Sequence, residues 1–152
     1  MRFKEITLSG TPYERGFAYG QQCKDEIAVS IDAYQFLFEK TKGINWEVAR
    51  KISEYYIELT RAYNPDYVEE IRGIAEGAGV LFEDIAALNT RTEIMYSDAL
   101  KAAQTEKAEP QECTVISLTP PAAADGHVIA AQNWDYSGRL RESVVIVHVK
   151  QE

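Results

Sequence analysis

At Cys113-Thr114-Val115-Ile116-Ser117-Leu118 the chain changes its period. Upstream, apolar residues recur at spacings of three and four; from Cys113 onward they run in short, β-branched stretches of the strand kind. Pro120 to Gly126 reads as a loop with Asp125-Gly126 as its turn signal. His127 to Trp134 reads as a second strand of this part and Ser143 to Val149 as a third. Residues 98–112, just before the change, are rich in Ala, Lys, Gln and Glu, contain Pro110, and have almost no apolar anchor after Leu100. That composition predicts a frayed helix end followed by an exposed linker.

The upstream part opens with a short strand through Phe3, Ile6 and Leu8. Thr11, Pro12 and Glu14 then form the start signal of a helix: an N-cap, a proline where the missing N–H costs nothing, and an acid three residues after the cap. Gly16 and Gly20 share one helix face and predict close approach of another backbone, because interior glycines otherwise cost about 1 kcal/mol each. Ile27, Ile31, Tyr34 and Phe38 continue the helical stripe to a stop at Gly43. A second helix is expected from Trp46 to Ala62, with Val48, Ile52, Tyr55, Leu59 and Ala62 inward. Asn64-Pro65 opens a third, carrying Val68, Ile71, Ala75 and Ala78 to a stop at Gly79. A fourth is expected over 82–94. Helices followed by three strands is an α+β order. Three short strands with open edges look like a piece of a larger fold.

The 152 residues carry 16 Lys and Arg against 24 Asp and Glu, a net charge of −8. Residues 1–112 hold −7 of it and 113–152 hold −1. No basic stripe exists to displace counterions from phosphates, so nucleic acid is not an expected partner. No apolar run reaches the roughly 18 residues of a membrane span, and no membrane partner is expected. The start Met1-Arg2-Phe3-Lys4-Glu5 has no apolar core of a secretory signal. Cys23 and Cys113 exclude a disulfide scaffold, and a cytoplasmic setting is expected. The two Cys and two His are too scattered for a metal site of usual spacing.

Two readings of Cys113 stand side by side. Free Cys is among the most buried residue types, so it can be a small core hydrophobe. It can also be a nucleophile at a chain junction. Were the Glu112–Cys113 bond cut, the thiol and a free α-amine would share one residue. An α-amine, with a pKa of about 7.7–8.0, serves as a base at neutral pH without histidine. Asp135, in Gln132-Asn133-Trp134-Asp135-Tyr136, either caps a turn or, with Asn133, reaches the start of the Cys113 strand across a hairpin. His127 and His148 read as surface or edge residues and Cys23 as core. Arg91 and Glu93 read as a surface pair at a helix end. Gly73, Gly77 and Gly79 lie in or after a helix and do not make a phosphate loop.

Five segments in order resemble one family: Gly10-Thr11-Pro12-Tyr13-Glu14-Arg15-Gly16, residues 69–78, Leu88-Asn89-Thr90-Arg91-Thr92-Glu93, Cys113-Thr114, and Gln132-Asn133-Trp134-Asp135. The chain resembles the acyl-coenzyme A:6-aminopenicillanic acid acyltransferases and their bacterial relatives, cysteine N-terminal-nucleophile hydrolases. The resemblance implies an αββα sandwich, incomplete here, with 1–112 as the helical region and 113–152 as the start of the nucleophile-bearing region. It implies self-cleavage between Glu112 and Cys113 by an N-to-S acyl shift, although the family often has Gly at the position of Glu112. Cys113 would then attack an acyl donor, with Asp135 in support and Thr114 and Asn133 as further supporting residues. The loop before Asp135 is a few residues longer than in the fungal enzymes. A catalytic Arg and Asn of the family come from beyond this chain, so little turnover is expected of it alone. No cofactor is implied. The partners implied are a small acyl donor (acyl-coenzyme A among them), an amine or amide, and a C-terminal portion or second chain, with homo-oligomerisation left open. The competing reading is a non-enzymatic helical module that pairs through an open sheet edge.

Overall fold

The computed structural model describes residues 3–96 and 113–150; Glu112 and the expected linker lie outside them. The described residues form an α+β arrangement: β1 (Lys4–Leu8), α1 (Pro12–Gln22), α2 (Lys24–Lys42), α3 (Trp46–Tyr63), α4 (Pro65–Ala78), α5 (Phe82–Asn89), α6 (Arg91–Tyr96), β2 (Thr114–Leu118), β3 (Ile129–Asn133), a 3-10 helix (Gly138–Ser143) and β4 (Val145–Val149).

The helix ends follow from capping chemistry. The Thr11 hydroxyl accepts the Glu14 N–H, and the Glu14 carboxylate accepts the Thr11 N–H at 2.8 Å, which closes the expected capping box. Asn45 and Asn64 cap α3 and α4 through their side-chain oxygens. Gly43 ends α2 at φ +66, a left-handed conformation that glycine adopts without a Cβ penalty. The long first stripe is a helix pair broken at Cys23, and the stretch expected as one helix over 82–94 is two, broken at Thr90.

α1 and α4 pack backbone on backbone. A Cβ on Gly16 would sit 2.1 Å from the Glu70 carbonyl oxygen, and one on Gly77 would sit 2.2 Å from that of Phe17. Gly20 and Gly73 complete the seam. The contact of two bare backbones supplies the dispersion energy that offsets the glycine cost. Polar pairs flank it: Arg15 bonds Glu70 at 2.9 Å, and the Tyr13 hydroxyl donates to Glu76 at 2.5 Å.

α3 is turned relative to expectation. Trp46, Ala49, Ser53 and Ile57 are buried, whereas Val48, Tyr55 and Leu59 are exposed. The small side chains of Ala49 and Ser53 let neighbouring helices approach closely. Asp84 of α5 fixes the rotation by accepting from the Trp46 indole N–H at 2.6 Å and from Arg50 at 2.7 Å. The Leu81 N–H donates to the other carboxylate oxygen at 3.1 Å, and a buried carboxylate held by these three donors outweighs the burial of larger apolar groups on the other face.

The strands form two two-stranded sheets rather than one thin sheet. β1 pairs with β4 in parallel, from Lys4 opposite Val145 to Leu8 opposite Val149. β2 and β3 form an antiparallel hairpin, from Thr114 opposite Asn133 to Leu118 opposite Ile129. Ile6 and Leu8 of β1 join Ile27, Ile57, Ile71 and Ile85 in one core. Tyr34, Phe38, Trp46 and Ile94 form a second, against which Tyr136 and Leu140 pack. Every residue of the hairpin strands is exposed.

Candidate active site

Cys113 lies one residue before β2 and is exposed, which removes the reading of a buried core thiol. Cys23, by contrast, is fully buried at the α1–α2 break, and desolvation pushes its thiol pKa up. The hairpin register puts Asn133 opposite Thr114, so the segment after Asn133 runs beside Cys113. The strand positions of Thr114 and Asn133 are thus brought together.

Asp135 is held within its own turn. The Asn133 side-chain amide donates to both of its carboxylate oxygens, at 3.1 and 3.2 Å. Among the described residues no hydrogen bond joins Asp135 to Cys113. His127 and His148 are exposed, near Asp125 and Glu5 respectively, and take no part in this corner. Arg91 is not one half of a surface pair at a helix end. It opens α6, donates to the Leu88 carbonyl at 3.0 Å, and lies over the Tyr34 ring at 5.8 Å.

The aromatic residues on either side of Asp135 fix this corner to the helices. Trp134 stacks on Tyr136 at 5.7 Å. The Tyr34 hydroxyl of α2 donates to the Tyr136 oxygen at 3.2 Å, and the Tyr136 hydroxyl faces Met95 Sδ at 3.7 Å. Burial and the Tyr34 contact push the Tyr136 phenol well above its ordinary pKa, so it stays neutral. The 3-10 helix continues the attachment: Arg139 stacks on Phe36 of α2 at 3.8 Å. Between α2, the start of α6 and this segment opens a cleft of about 550 Å³, with Trp134 and Tyr136 in its wall. That volume is in the range of small-molecule sites.

Sequence reasoning missed this cleft. Its one local signal was the placing of Trp134 and Tyr136 two residues apart, on one side of an extended segment. Asp84 was also missed, since nothing near it marks a buried acid. Among the described residues no group of His, Cys, Asp and Glu could hold a metal ion. No helix among them is long and apolar enough to cross a membrane.

No family profile matches the chain. It is 34% identical over 147 residues to the acyl-coenzyme A:6-aminopenicillanic-acid-acyltransferase 40 kDa form of Emericella nidulans, covering 96% of this chain and 38% of that protein. It is 32% identical over a 170-residue alignment to protein dcd1A of Dictyostelium discoideum, covering 94% of this chain and 35% of that protein. The chain thus spans little more than a third of the length of these relatives.

Proposed function

The chain belongs to the acyl-coenzyme A:6-aminopenicillanic acid acyltransferase family, and on that footing we propose that it is the nucleophile-bearing part of a self-processing cysteine acyltransferase or amidohydrolase. The observation that carries the proposal is the exposed Cys113 at the head of β2, in register with the Asn133 end of β3. In this reading the Cys113 thiol attacks the carbonyl carbon of Glu112. The peptide C–N bond breaks, its nitrogen takes the thiol proton, and a thioester remains. Water hydrolyses the thioester, which frees the thiol and leaves Cys113 with an α-amine.

The mature residue then runs acyl transfer. The α-amine accepts the thiol proton, and the thiolate attacks an amide or thioester carbonyl. The leaving amine or thiol departs protonated, and water or an amine resolves the acyl-cysteine. Asp135, held by Asn133, stabilises the ammonium form of the α-amine. Acyl-coenzyme A is one donor that fits this chemistry. Residues beyond the aligned third supply the remaining groups, and the oxyanion hole is usually the largest catalytic term. The 152-residue chain alone therefore turns over substrate little.

A second reading has its own observation. Val115, Ile116, Val128 and Ile129 are all exposed on the hairpin, which suits strand addition by another polypeptide. Intact mass separates the two. Self-processing yields pieces 1–112 and 113–152, and Cys113→Ala leaves the chain whole. A native chain that stays at 17.1 kDa, with Cys113 inert to alkylation, overturns the enzymatic reading.

A further inference from the structure

A second open cleft lies between α3 and α4 and reaches the α5–α6 junction, with a volume of about 490 Å³. That size again suits a small molecule. All its lining residues fall within 56–93, and none is shared with the cleft beside Trp134. Ile57 and Ile71 are buried and give it apolar surface, and Tyr56 and Tyr67 add two aromatic rings. Both rings are set by neighbours: Tyr55 meets Tyr56 edge-on at 5.3 Å, and Tyr63 lies against Tyr67 at 6.2 Å.

The polar part of this lining is rich in acceptors. Thr60 and Thr90 spend their hydroxyl protons on the carbonyls of Tyr56 and Ala86, at 2.9 and 3.1 Å. The Asn89 amide nitrogen donates to the Ile85 carbonyl at 3.0 Å, which leaves its oxygen to accept. No Lys, Arg or His lines the cleft, whereas Glu70 and Glu93 do. Arg15 offsets Glu70 at 2.9 Å. Arg91, two residues before Glu93, is turned to the Tyr34 ring instead. Among the described residues no ion pair offsets Glu93. One unbalanced negative charge thus stands beside aromatic and apolar surface. A ligand that brings a single positive charge and several N–H groups on an apolar body complements it.

We propose that this cleft binds a primary alkylammonium ion with an aromatic body, the ammonium on Glu93 and the Asn89 oxygen and the ring against Tyr56 and Tyr67. The site stands apart from Cys113, and its occupancy does not depend on the function proposed for that residue.

The full chain is titrated with phenethylamine, with the neutral phenethyl alcohol and with the anion hydrocinnamate, by calorimetry and by NMR of the backbone amides. The amine is expected to bind saturably and about tenfold more tightly than the alcohol. It is expected to move amides of α3, α4 and the α5–α6 junction, and the anion is expected not to bind. Glu93→Gln keeps the side-chain shape and should erase the preference for amine over alcohol. Tyr67→Leu, at an exposed position, should weaken amine and alcohol alike, and it decides if Glu93→Gln fails to fold. Equal binding of amine and alcohol, no saturable binding, or a preference that survives Glu93→Gln overturns the proposal. So do shifts confined to the Trp134 cleft. Self-association that Tyr67→Leu abolishes and the amine displaces makes a second copy the occupant, and overturns it as well. The mass test of Cys113 reads a different event, so failure here and failure of the Cys113 reading are separately visible.

Discussion

The two thiols of this chain sit in opposite surroundings, and their reactivity should follow. Cys23 is sealed at a helix junction with its pKa raised by desolvation, while Cys113 is open to solvent. Glu14 shows the same dependence on partners in an acid. The Thr11 backbone N–H and then the Thr11 hydroxyl donate to its carboxylate and lower its pKa from the ordinary 4.5. A depressed folded pKa means that the native state favours the charged form. The stabilisation is therefore complete above pH 4.5 and fades as pH falls through the folded value. In urea unfolding the native chain should exceed Glu14→Gln by most at neutral pH, with the gap closing on acidification. A gap that widens below pH 4.5 contradicts the capping assignment. Thr11, Pro12 and Glu14 were legible in the sequence because a cap is local chemistry. Exposure of Cys113 was not, since it depends on what the whole hairpin packs against.

The α1–α4 seam is the contact least tolerant of change. Gly16→Ala or Gly20→Ala would drive a methyl into the backbone of α4, where the nearest carbonyl oxygens lie at 2.1 and 2.2 Å. Either should cost about 2–3 kcal/mol. Gly138→Ala is the control, because nothing lies within 4 Å of its Cβ position. Chemical denaturation of the three variants checks the order, and equal stability of Gly16→Ala and Gly138→Ala contradicts the seam. The glycine spacing announced this contact before any partner was known. The buried face of α3 was not announced, because Ala49 and Ser53 carry little hydrophobic signal and Asp84, which orients the helix, is 31 residues beyond Ser53. The parallel β1–β4 pair was likewise hidden: its partners lie at opposite ends of the sequence, and no local pattern encodes a nonlocal pairing.

In the molecule as a whole, β1 buries Ile6 and Leu8 against the helices, whereas the β2–β3 hairpin buries no residue of either strand. Val115, Ile116 and Val128 are each more than 60% exposed, as is Trp134 beside them. An apolar patch of that kind associates with a partner. Sedimentation should therefore find concentration-dependent self-association of the isolated chain, relieved by Val115→Thr with Val128→Thr. A monomer at every concentration contradicts it. The Cys113 side chain is itself exposed, as the proposed hydrolysis of its thioester requires. N-terminal sequencing of the purified chain after incubation at neutral pH tests the nucleophile most directly. A new start reading Cys-Thr-Val-Ile-Ser, absent from Cys113→Ala, is the predicted result. A sample with no start at residue 113, its thiol still unreactive, would contradict the role assigned to Cys113.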